Sequence, residues 1–138
     1  MVHQLGVDFG STRQSYGPLL PNLFFAARIG GLTFEGDELP SEILARYQLP
    51  SAACSGHSMQ AMRNFVTRCL ESNRWAILQF HGIGGGHKMD CDLAAYRDLI
   101  NWLADHHADK IVTIREGVIQ TWNSDKSLQK ISVSSAGV

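Results

Sequence analysis

Two residues in this sequence stand where a side chain can meet a substrate. His81 ends the apolar run Trp75, Ala76, Ile77, Leu78, Gln79, Phe80 and is followed by Gly82, Ile83, Gly84, Gly85 and Gly86. An apolar run of strand length that breaks into glycines is a buried strand emptying into a permissive loop. In α/β proteins ligands and catalytic groups gather at the carboxyl ends of strands, where loops vary while the strands stay rigid. An imidazole placed there titrates near neutral pH and can give or take a proton. Arg28 sits near the end of a second apolar run that starts at Leu23 and halts at Gly30 and Gly31, so it reaches the same kind of terminus. Its charge is permanent and its fork of donors suits an acidic partner. Both positions also suit purely structural use, as a hydrogen-bonded histidine at a strand end and as a solvated edge arginine.

The remaining reactive side chains offer less. His87 follows three glycines, and its spacing from His81 across a flexible loop is not that of metal ligands. Asp105, His106, His107 and Asp109 look like a metal cluster. Adjacent histidines at a helix end point to different sides, however, and imidazolium at a helix carboxyl terminus is favoured by the dipole alone. Cys54, Cys69 and Cys91 are odd in number and far apart, which supports neither a disulfide framework nor a zinc ribbon. Gly56, His57, Ser58 and Met59 resemble the nucleophile elbow of an α/β-hydrolase esterase, with Phe80, His81 and Gly82 resembling its oxyanion loop. The order along the chain is reversed relative to that fold, Gln60 replaces the second glycine, and no strand is expected before Ser58. Capping the next helix is the simpler role for Ser58.

The elements that position these residues follow from periodicity. Strands are expected near 23–29, 75–82 and 110–114, and helices over 59–72, 92–107 and 115–122. In the first long helix Met62, Phe65, Val66, Cys69 and Leu70 recur on one face. In the second, capped by Asp90 or Asp92, Leu93, Tyr96, Leu99, Ile100 and Leu103 form the stripe, with Trp102 beside it. Residues 1–14 read as an entering loop, and 14–20 as a short helix with Pro21 at or beyond its end. Residues 32–57 are irregular, which means either a functional loop or a concealed strand. The tail over 123–138 reads as frayed, with one strand-like stretch at 130–133. Alternation of strand and helix implies parallel strands and an α/β class.

Length and charge set the outer bounds. A chain of 138 residues is one domain able to bury about two thirds of its unfolded surface. Twelve Lys and Arg against thirteen Asp and Glu, scattered along the chain, indicate neither a nucleic-acid footprint nor a membrane-surface patch. No run approaches the roughly 18 apolar residues of a membrane span. Met1 to Gly6 lacks the basic start and apolar core of a secretory signal, and the compartment stays open.

One resemblance joins these parts. The run from Trp75 to Ile83, a helix ending in Trp102, Leu103, Ala104, Asp105 and His106, and then Thr113, Ile114, Arg115, Glu116, Gly117 and Val118 resemble the carboxyl-terminal portion of a polysaccharide deacetylase of the NodB-homology type. The upstream stretch from Gln14 to Arg28 is similar to a helix-then-strand segment of such enzymes, so the likeness extends over roughly 9–122. It implies a partial distorted β/α barrel, namely the last three or four strand-helix units. It also implies metal-assisted hydrolysis of N- or O-acetyl groups on a polysaccharide, with a carbohydrate as substrate. His81 would be the general acid toward the leaving amine, and Arg28 would support the site's acids. The family's acidic T-F-D-D-G-type motif and its H-x-x-x-H-type pair have no counterpart here. The expectation is therefore a truncated domain over 1–138, with no cofactor on this chain and a divalent metal such as zinc in the complete domain. Alone it would be inactive. The alternative is a non-catalytic α/β module that pairs with another chain, or with a second copy, through exposed sheet edges.

Overall fold

The computed structural model describes residues 6–9, 12–15, 17–34 and 46–121. The fold is mixed α/β, built on a three-stranded parallel sheet of β3 (Arg28–Leu32), β4 (Leu49–Ala53) and β5 (Leu78–Gln79), in that order. A separate antiparallel ladder pairs β1 (Gly6–Phe9) with β2 (Thr12–Ser15), where the sequence reads as a loop. Two longer helices, α2 (Met59–Glu71) and α3 (Leu93–His107), follow β4 and β5.

The central strand β4 is the one concealed in the irregular stretch. Pro50 hides it, because proline cannot donate to a ladder and argues against a central strand. Here the ladder tolerates it for a local reason. Ala52 and Cys54 donate to Ile77 and Gln79 of the β5 side, so the missing N–H of residue 50 also faces that side, before pairing with β5 has begun at Ala52 and Leu78.

The strand expected over 23–29 lies further on. Residues 17–19 form a 3-10 turn that runs into the single-turn helix α1 (Leu20–Leu23), with Pro21 in its first turn, where a lost N–H costs nothing. Arg28 consequently opens β3. Gly30 and Gly31 belong to the strand, and Gly31 at φ 118° accommodates the register shift between Ile29 and Leu32.

The strand expected over 110–114 is replaced as well. Ala108–Lys110 is a 3-10 turn, 111–113 is unpaired, and a helix, α4, runs over 114–121. Thr113 and Glu116 form a capping box: the Thr113 Oγ1 accepts from the Glu116 N–H at 3.2 Å, and the Glu116 carboxylate accepts from the Thr113 N–H at 2.8 Å. That reciprocal cap starts the helix at a β-branched run that otherwise favours a strand. The strand-like stretch at 130–133 lies outside the described residues.

Both long helices start as their sequences indicate. Ser58 accepts from the Ala61 N–H at 3.3 Å and Asp92 from the Ala95 N–H at 2.9 Å. Each helix lies against the same face of the sheet, where Met62, Phe65, Val66 and Cys69 of α2 and Leu99 and Trp102 of α3 close over Ala52 and Leu78. Trp102 is buried while Leu93 and Ile100 are exposed, so the α3 stripe is rotated relative to its sequence reading. On the opposite face a smaller cluster of Leu49, Ile77 and Val118, flanked by Phe25 and Trp75, covers only the amino-terminal part of the strands.

Candidate functional site

Alternation along β5 separates two chemistries. Leu78 and Phe80 pack toward the helices, and Gln79 and His81 share the other face. On that face the strands change from the apolar Leu49 and Ile77 to the polar Ser51 and Gln79, moving toward their carboxyl ends. His81 lies two residues beyond the end of β5 and is exposed.

Arg28 opens its strand instead of closing it, yet its long side chain crosses β4 to reach this place. One guanidinium nitrogen donates to the Gln79 side-chain oxygen at 2.5 Å and lies 3.5 Å from the Ser51 hydroxyl. Ser51 is fully buried, and its hydroxyl donates to the Ile29 carbonyl at 2.7 Å. The Gln79 amide nitrogen lies 2.9 Å from His81 Nε2. Arg28 and His81 are thus joined through a single amide. Gln79 and Ser51 were the members that sequence reasoning passed over. A signal existed for one of them, since Gln79 is the lone polar residue of its run and stands two positions before His81, hence on the same strand face.

The glycine loop after His81 is organised around one carboxylate. Ile83 and Cys91 bridge, with the Gly84 N–H on the Cys91 carbonyl and the Cys91 N–H on the Gly82 carbonyl, both at 3.0 Å. Asp90 fills the turn. Its carboxylate accepts from the His87 N–H at 3.0 Å and packs so closely on Gly82 that a Cβ there would lie 2.0 Å from Oδ1. The backbone N–H of His87 above all, with those of Gly85 and Gly86, holds the Asp90 carboxyl below the usual carboxylate range. A lowered carboxyl value stabilises the loop in full above the ordinary value, and that support is lost as pH falls through the lowered one. The His87 amide proton shift should therefore move across that acidic window, and Asp90→Asn should abolish the movement. A His87 amide that is insensitive to acid in the wild type would contradict this account of the loop.

The other candidates find structural uses. Ser58 serves as the α2 cap, although β4 does precede it. The His57 ring packs 4.6 Å from Phe34, and His106 and His107 pack on Trp102 at the end of α3. Burial raises the Cys54 thiol to about 12 and the Cys69 thiol to about 11, and raises Cys91 as well, so none is a ready thiolate at neutral pH. Among the described residues no group of three His, Cys, Asp or Glu side chains could hold a metal ion, and no helix is long and apolar enough to cross a membrane.

A groove of about 990 Å³ runs along β5 between α2, α3 and 109–121, lined in part by Leu70, Leu78, Phe80, Leu99, Leu103 and Val112. Leu78 and Phe80 place it on the helix side of β5, away from Gln79 and His81. Comparison of the chain with protein-family models, with curated proteins and with solved structures gives no match.

Proposed function

We propose that this chain supplies the back part of a polysaccharide deacetylase domain of the NodB-homology type, in which His81 protonates the group that leaves when an acetyl is hydrolysed from a sugar. The observation that carries this reading is the joining of Arg28 and His81 through Gln79 on one face of the sheet. The winding agrees with it. β3, β4 and β5 are parallel neighbours in chain order and both long helices lie on one face, as in a sheet that continues around into a distorted β/α barrel and unlike one that reverses at a switch point. The face away from α2 and α3 is apolar toward the strands' amino ends and polar toward their carboxyl ends, as a barrel interior with its site at the top requires.

Chemically, hydrolysis of an acetamide builds an oxyanion at the carbonyl carbon, and the nitrogen must gain a proton before the C–N bond breaks. An imidazole at the carboxyl end of a strand can give that proton. An O-acetyl ester needs the same help at its departing oxygen. Arg28 fixes the amide that touches the imidazole. A divalent metal such as zinc is expected in the complete domain, but the described residues do not fit one, so its ligands would come from protein outside them.

A second reading, a non-catalytic module that pairs with another chain, is favoured by one feature. Among the described residues neither outer edge of the three-stranded sheet has a strand partner, and Leu19, Leu23 and Phe24 near β3 are 55%, 67% and 57% exposed. One experiment separates the two. Co-expressed with the amino-terminal half of a NodB-type barrel and supplied with zinc, the chain should form a complex that releases acetate from N-acetylated chitooligosaccharide or O-acetylated xylan. A stable complex that releases none from either would reject the deacetylase and leave the pairing module.

A further inference from the structure

Arginine has donors only, so the Gln79 atom facing Arg28 at 2.5 Å is its carbonyl oxygen, and the amide cannot be turned over without setting NH2 against guanidinium. Ser51, whose proton goes to the Ile29 carbonyl at 2.7 Å, lies 3.3 Å from the same oxygen and does not compete for the amide nitrogen. The Gln79 NH2 therefore faces His81 Nε2, at 2.9 Å. An amide NH2 has no lone pair to offer, so this contact is a hydrogen bond only if Nε2 is the acceptor. A neutral imidazole carries one N–H, which places it on Nδ1.

We infer that Gln79 is a positioning residue, locked by Arg28, that fixes the neutral His81 ring with its proton on Nδ1 and its Nε2 lone pair occupied. The consequence for chemistry rests on the deacetylase reading: the nitrogen directed away from Gln79 is Nδ1, and the ring gives up its Gln79 hydrogen bond at Nε2 when it takes the second proton that makes it an acid. Arg28 then acts on His81 without touching it, because its guanidinium decides which end of the amide the imidazole meets.

The test is the nitrogen-15 spectrum of the His81 ring in histidine-labelled chain, assigned with His81→Ala and read where the ring is neutral. The wild type should show a protonated Nδ1 and a bare Nε2. Gln79→Glu places an acceptor opposite both partners, so it should reverse the tautomer ratio by about tenfold or more. Arg28→Met leaves β5 unaltered and frees the amide to turn, so it should give a mixture of tautomers; it also serves if the Glu variant does not fold, as judged from backbone amide spectra. A wild-type His81 protonated on Nε2, or a ratio unchanged in both variants, would overturn the inference. The spectrum needs no activity, so a failed acetate assay beside an agreeing spectrum would reject the deacetylase reading alone.

Discussion

Replacing His81 by alanine in the zinc-supplied complex should lower kcat for acetate release by about 10²–10⁴-fold while leaving KM nearly unchanged, the range expected for loss of a positioned acid. A proton given to the leaving group acts in the transition state, so its removal falls on kcat and kcat/KM alike. The variant should fold as the wild type does. His81 is exposed, and its only described side-chain hydrogen bond is to Gln79. A loss of less than about tenfold would remove His81 from the chemistry, whatever the complex does otherwise.

The second large effect is on stability. Phe65→Ala should destabilise the chain by about 3–5 kcal/mol, the range for truncating a core phenylalanine. Phe65 has no exposed surface and meets Phe34 edge to face at 5.2 Å, inside the cluster that fastens α2 to the sheet. The loss combines the transfer term with a cavity that backbone on both sides keeps from closing. Against a typical domain stability of about 5–15 kcal/mol, such a loss should be plain in urea denaturation. A loss below about 1 kcal/mol would mean that α2 is not anchored as described.

The two long helices were legible in the sequence because their signals are local and redundant: a period near 3.6 in the apolar residues, a capping oxygen, and a polar opposite face. The α/β class followed from their alternation with apolar runs. β4 was not legible, since five residues with a proline carry no period, and their status as a strand depends on two neighbours that supply every partner. Residues 110–114 misled for the opposite reason. Ile111, Val112 and Ile114 favour a strand, while the capping box of Thr113 and Glu116 is a stronger local instruction.

Of the site, His81 could be placed from its strand end, because the end of an apolar run marks a position along the chain. Arg28 opens its strand where the apolar run suggests that it closes one, since α1 takes up residues that look extended. That the two share an amide could not be read at all. The contact depends on sheet order, which brings β3 and β5 to either side of β4, and on side-chain reach across it.

Under the proposed function, the proton-transfer histidine lies on this chain and the metal ligands come from protein outside its described residues. Calorimetric titration of zinc into the 138-residue chain tests that most directly. The expected result is no stoichiometric binding. Equimolar zinc held with submicromolar affinity, and lost on replacing His57 or His87, would contradict it.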